Sequence, residues 1–396
     1  MAIDVPATAP PRVVFYNDPK VRSIAYQVAL CVVIAFLFYG AATNAVENLA
    51  RARIASGFGF WDQTAGFDIS QTLIPYSPQI STYGRAFWVG LLNTLLVATL
   101  GIFFATILGF IIGIARLSKN WLLARVAAGY VELIRNLPLL LQLLFWYNAV
   151  LKALPEIRDS LSFPGGGFIN NRGLFLPEPL PQSGFGTVLI VFAIGILASI
   201  AFFVWARRRQ MQTGQQAPVF WVTIGLVLGL PFLVFALLGF PLEWSFPEKA
   251  RFNIRGGIEV VPEFAALLFG LVIYTAAFIA EVVRAGILAV SHGQSEAAYS
   301  LGLRPRPTLR LVVIPQAMRV ITPPLTSQYL NLTKNSTLAV AVGYPDLVQV
   351  FTGTVLNQTG QAVEVVAITM AVYLFISLVT SIAMNVYNSR MALVER

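Results

Sequence analysis

The chain has 396 residues, of which 57% are hydrophobic and 11% charged, with a mean hydropathy of +0.72; a soluble domain usually carries about 25% charged residues. A soluble core is therefore excluded in favour of one integral membrane domain. The net charge of +9 sits largely in short loops beside apolar runs, where it sets orientation and does not describe a nucleic-acid surface. The lone Cys31 excludes an internal disulfide and a cysteine metal site.

A helix needs about 20 mostly apolar residues to cross the hydrocarbon core, because its backbone polar groups must be satisfied within the segment. After an N-terminal tail (1–23), the first such run is Ile24–Ala42. Gly40-Ala41-Ala42 offers small residues for cleavage, but the long, weakly basic tail before the run favours an uncleaved anchor. The loop Ser56–Tyr83 completes the segment 24–83; its aromatics (Phe58, Phe60, Trp61, Phe67, Tyr76, Tyr83, and Trp88 beyond it) are expected mainly to anchor the outer interface. Spans Phe87–Ala115 and Ala124–Leu151 follow within 84–153. Residues 154–262 then insert a Gly/Pro-rich outer loop, Pro155–Gly186, and two further spans, Thr187–Ala206 and Val219–Phe240. The final segment, 263–390, holds spans Phe264–Val290, Val320–Val342 and Val363–Met384, with a basic loop over 291–319.

The expected fold is all-α, with about eight membrane helices and both termini cytoplasmic. Arg12, Lys20, Arg22, Arg116, Lys119, the Arg207-Arg208-Arg209 run, Arg304, Arg306, Arg310, Arg319, Arg390 and Arg396 then fall on one side. The seventh span is diluted by Gln328, Asn331, Lys334, Asn335, Ser336 and Thr337. Parity keeps it, since without it the C-terminal arginines would join the acidic loops.

Two patterns place charge inside spans. Glu132 with Arg135, and Glu281 with Arg284, are each three residues apart, so each pair shares a helix face and is expected to form an ion pair. Lys334 lies roughly 20 Å into its span, near the midplane. With Asn331, Asn335, Ser336 and Thr337 it forms a donor cluster that lipid would not tolerate. Either this cluster lines a path for a zwitterion, with Glu281 or a carbonyl receiving the ammonium, or Lys334 is paired structurally with Glu281 or Glu364.

In the basic loop, Glu296-Ala297-Ala298 precedes Gly302 by a spacing that predicts a stub of about two turns, ended by Gly302 in the left-handed conformation and kept from resuming by Pro305 and Pro307. With Val312 and Ile314-Pro315 downstream, this pattern resembles the coupling helix of ABC importer permeases, which runs Glu-Ala-Ala, three residues, Gly, nine residues, Ile, one residue, Leu-Pro. Val312 and Ile314 stand here in place of Ile and Leu. Tyr130-Val131-Glu132, Arg135-Asn136-Leu137-Pro138, Pro262-Glu263-Phe264, Arg284-Ala285-Gly286-Ile287 and Lys334-Asn335-Ser336-Thr337-Leu338 extend the likeness to the polar-amino-acid branch. The enlarged layout is similar to the general L-amino-acid importer permeases, the Aap/Bzt type.

The resemblance implies a type I ABC importer transmembrane fold that moves L-amino acids inward by alternating access. It implies coupling through Glu296, Ala297, Ala298, Gly302 and Pro315 to two copies of a separate ATPase subunit, which would bind the ATP and Mg. It also implies a paralogous permease partner and a periplasmic amino-acid-binding protein. No Walker loop occurs in this sequence, and His292 lacks the setting of a hydrolytic triad, so no enzymatic site or cofactor of its own is expected. The rival reading is a secondary transporter driven by an ion gradient through Glu132, Glu281 or Lys334.

Overall fold

Uninterrupted apolar runs close their hydrogen bonds locally, and they form the long helices of this chain. The computed structural model describes residues 19–51, 56–250 and 253–391, so Arg12 and Arg396, used above as orientation markers, lie outside the described residues. In chain order the helices are α1 Pro19–Arg51, α2 Tyr83–Ala115, α3 Trp121–Asn136, α4 Leu139–Leu144, α5 Phe185–Thr213, α6 Val219–Ile224, α7 Leu230–Leu237, α8 Pro262–Leu288, α9 His292–Ser300, α10 Pro305–Thr308, α11 Ile314–Asn335, α12 Leu356–Thr359 and α13 Ala362–Met391. Wider π-helical turns continue α4 (Phe145–Leu151), join α6 to α7 (Gly225–Gly229) and join α10 to α11 (Leu309–Val313).

Among the described residues, six helices are long and apolar enough to cross a membrane, or seven when α3 and α4 are taken as one bent span. The run expected as one span over Ala124–Leu151 is two helices, bent by 106° where they meet. Pro138 explains the break: it bars the α conformation from Leu137, which sits at φ −99° and ψ 132°. Gln142 then donates to the carbonyls of Ile134 and Leu137, both at 3.0 Å, replacing partners that the break removes. The expected span Val320–Val342 is not among the helices long and apolar enough to cross: its residues fall in α11, which is diluted by polar side chains, carries Pro323 and Pro324 and ends at Asn335, and in a tighter 3₁₀ stretch, Ser336–Ala341.

Three layers of buried side chains run down the bundle. The outermost gathers Phe60, Ala65, Tyr83, Phe87, Leu347 and Phe351, the middle one Val97, Leu143, Leu267, Leu271 and Tyr344, and the third Ala105, Ile279, Val283, Ala317, Ile321 and Leu332. The outermost layer corrects the reading of loop 56–83 as chiefly a membrane anchor. Phe60 is 2% exposed and packs edge-on against Tyr83, and Trp61 packs against Phe87 and Phe351. These rings find more buried area over the outer ends of α2 and α13 than at a headgroup surface; Phe58 and Trp88 remain exposed.

The insert adds short antiparallel strands to a helical protein. β1 Leu161–Phe163, β2 Gly167–Asn170, β3 Gly173–Leu176 and β8 Ile258–Val260 form one sheet in the order β1-β2-β3-β8. β4 Glu178–Pro181 pairs with β5 Leu242–Ser245, and β6 Glu248–Lys249 pairs with β7 Ile254–Arg255. Between β4 and β5 rises the α5–α7 hairpin, whose helices pack chiefly on each other.

Candidate coupling site and polar interior

Helix α9 has nine residues and stands between two longer rods, α8 and the α10–α11 unit. Its last turn closes as the sequence requires. Gly302 takes φ +77°, its N–H donates to Tyr299 O at 2.9 Å, and Leu303 N–H donates to Ala298 O at 3.1 Å. Ala298 is buried against the protein, whereas Glu296, Tyr299 and Leu301 are exposed, so one face docks inward and the other is presented outward. Gln316 Nε2 donates to Gln294 Oε1 at 3.1 Å and ties α9 to the start of α11, where Pro315 occupies the first turn. Pro305 does not block helix formation, contrary to the expectation from sequence; it opens α10, because a first-turn residue needs no N–H partner. His292, expected in a loop, begins α9 and places Nδ1 3.0 Å from Glu296 Oε1.

The two charge patterns have different fates. Glu281 accepts from Arg284 Nη2 at 2.6 Å and also from Arg116 Nη1, which arrives from the end of α2. Glu132 and Arg135 do not meet as an ion pair. Both are exposed on α3, and the Arg135 guanidinium lies 5.1 Å from the centre of the Phe278 ring instead. Lys334 pairs with neither Glu281 nor Glu364. Glu281 is taken by the two arginines, and Glu364 accepts from the Gly57 N–H at the outer end of α13. Along this stretch Asn331 and Lys334 are exposed, Asn335 and Thr337 are half-buried, and Ser336 is buried with its hydroxyl donated to Thr333 O at 2.7 Å. The donor cluster is thus divided between an outward face and the core, and Glu281 is not brought to it.

Residues 208–393 match the profile of the binding-protein-dependent transport system inner membrane component family. The general L-amino acid transport system permease protein AapQ of Rhizobium johnstonii is 54% identical over 96% of this chain and 94% of its own. The putative amino-acid ABC transporter permease protein YhdX of Escherichia coli is 51% identical over 96% of this chain and 97% of its own. The chain belongs to this permease family. A third relative, the glutamate/glutamine/aspartate/asparagine transport system permease protein BztB of Rhodobacter capsulatus, is 42% identical over 96% of both chains.

The permease also holds a buried polar knot that its sequence did not announce. Asp346 is 1% exposed; its Oδ2 accepts from Tyr373 Oη of α13 at 3.1 Å and its Oδ1 from the Gln349 N–H at 2.8 Å. Asn93 of α2 donates through Nδ2 to Pro345 O and to Gln71 O, both at 2.9 Å, and Thr94 Oγ1 accepts from the Leu347 N–H at 3.0 Å. The irregular 342–347 segment is thereby held against α2 and α13: side chains satisfy the Pro345 carbonyl and the Leu347 N–H, while the Tyr344 and Asp346 N–H groups donate to the backbone carbonyls of Ala339 and Tyr344. The one available signal was Asn93-Thr94, a polar pair in an otherwise apolar run. Asp346, following Pro345, reads as an ordinary turn residue.

Proposed function

We propose that this chain is the membrane subunit of an ATP-driven importer of L-amino acids, working by alternating access between the periplasm and the cytoplasm. One of two ATPase subunits, which carry ATP and Mg, docks on the outward face of α9 at Glu296 and Ala297, with Ala298 seated inward and Gly302 and Pro315 fixing the helix on the bundle. A paralogous permease completes the pathway, and a periplasmic amino-acid-binding protein delivers substrate to the outer loops. Asn331, Lys334, Asn335 and Thr337 line the pathway between the two permeases, with Ser336 anchoring that stretch to the core. Lys334 meets the substrate carboxylate. Relatives of nearly equal length, whose names specify amino-acid permeases, support this reading.

The observation that carries the proposal is α9 itself: a nine-residue helix seated by Ala298, closed by a left-handed Gly302, and open on its other side. Gly302→Val tests it. Nothing crowds the position, so the variant acts only through backbone strain, about 1–2 kcal/mol for an L-residue in that conformation. The expected result is normal membrane insertion with loss of uptake and of receptor-stimulated ATP hydrolysis in proteoliposomes. Normal uptake would remove the coupling role.

A further inference from the structure

The three charges at the inner end of the bundle are not equivalent. Arg284 and Glu281 belong to the same helix, α8, whereas Arg116 comes from the C-cap of α2 and is the single member that crosses between helices. Its side chain is 14% exposed, against 27% for Glu281 and 32% for Arg284, so the crossing bond is also the most sheltered from screening. The backbone leads directly to it. One turn earlier, a Cβ at Gly113 would lie 2.8 Å from both Ala280 O and Val283 Cβ, and at Gly109 it would lie 2.6 Å from Ile279 Cβ. The two glycines press α2 onto α8 along the last turns before Arg116. Helices in lipid gain association from such close packing, since burying apolar surface offers little there.

On its other side α8 meets α11, with Ile321 buried against Gly286. α11 is continuous through the π-helical turn with α10, and α9 is bonded to it through Gln294 and Gln316. A push on α9 therefore reaches α11 and α8 by packed contacts, and it reaches α2 through the glycine seam and the Arg116–Glu281 bond. Beyond Arg116, four residues lead to α3, so whatever moves the end of α2 also moves the bent α3–α4 span.

We infer that Arg116 is a positioning residue for transport: its bond to Glu281 makes the inner ends of α2 and α8 one rigid body, so that movement of α9 is delivered to the α2–α3 turn. The inference rests on α9 being the ATPase docking element. Arg284 has a different task, compensating the Glu281 carboxylate within one helix. Loss of Arg116 leaves Glu281 paired with Arg284 and so does not strand a buried charge, whereas loss of Arg284 leaves the interhelical bond in place.

The test uses the assembled transporter, with both permeases, the ATPase subunits and the binding protein, in proteoliposomes. Solute imported per ATP hydrolysed is measured, together with subunit retention in detergent. Arg116→Gln is expected to lower that ratio by roughly three- to tenfold, the range of single-residue effects on coupling, with subunits retained. Arg116→Lys should recover part of the loss, Arg284→Gln should hold the ratio within about twofold of the parent, and Lys119→Gln, an exposed charge on the same turn, should match the parent. Adding Arg116→Gln to Glu281→Gln should cost nothing further, because the two act through one bond.

Equal loss of the ratio in Arg116→Gln and Arg284→Gln would show that charge compensation, not linkage, is what matters, and would overturn the inference. So would a parental ratio in Arg116→Gln, or a proportional fall of uptake and hydrolysis with loss of subunits. Gly302→Val run in parallel separates the two ideas: if it abolishes coupling while Arg116→Gln behaves as the parent, the clamp fails and the docking reading stands. If Gly302→Val transports normally, both fall.

Discussion

Lys334 is an ammonium on a helix of a membrane protein, exposed on this chain and without an ion-pair partner among the described residues. Charge in such a position is costly against lipid, so the face that bears Lys334 and Asn331 requires water, substrate or another protein surface in front of it. Lys334→Ala follows as a residue-scale prediction. Because no intramolecular bond of that side chain is lost, stability and subunit retention should change by no more than about 0.5 kcal/mol. Uptake, or the ranking of competing amino acids, should change clearly; competition assays beside a thermal-stability assay will read both. A variant that merely fails to assemble would remove Lys334 from the pathway. Glu281, which the sequence offered as a partner for a substrate ammonium, is instead saturated by two guanidinium groups.

At the level of elements, the α2–α8 interface depends on absent side chains. Where Gly113 lies, the opposing atoms include a carbonyl of the α8 backbone, which cannot rotate away as a flexible side chain can. Gly113→Val is therefore expected to force the helices apart and to cost about 1–3 kcal/mol, the usual penalty for overpacking. Gly129→Val on α3, where an added Cβ meets open space, is the control and should leave the melting temperature in detergent near that of the parent. Equal melting of the two variants would refute the seam. The α3–α4 break is also an element-scale event: Pro138 ends one helix, and Gln142 caps the carbonyls left behind. Taken together, the two halves of Ala124–Leu151 are apolar enough for one span despite Glu132, Arg135 and Asn136, but a mean over the run carries no sign of the bend angle, since composition counts residues without recording the direction of the axis.

Across the whole molecule, the α5–α7 hairpin stands apart from the other helices. β4 and β5 run antiparallel with Pro181 opposite Leu242, and Gln182 N–H donates to Pro241 O at 3.1 Å, so the chain enters and leaves the α5–α7 hairpin at neighbouring points. Replacing residues 183–240 with a two-residue Asn-Gly turn should therefore close without strain. The shortened permease is expected to insert, bind its ATPase subunits and import solute at a rate within about threefold of the parent; Gly195, packed on the Leu226 backbone, shows that the hairpin's closest contacts are its own. Loss of ATP-dependent uptake with full assembly would show that the hairpin takes part in transport.

The amino-acid sequence by itself determined the membrane class, the places of the apolar runs, and α9 with its Gly302 closure. Each is a local property: a length of hydrocarbon to be crossed, or a spacing read within one or two helical turns. Tertiary structure decided which charges and polar groups meet. Arg116 and Glu281 are 165 positions apart, Tyr373 reaches Asp346 from another helix, and Glu132 and Arg135, adjacent on one face, do not pair. Shared spacing on a helix makes contact available, but the neighbouring helix that covers or leaves that face selects the partner, and that choice is made only when distant segments pack.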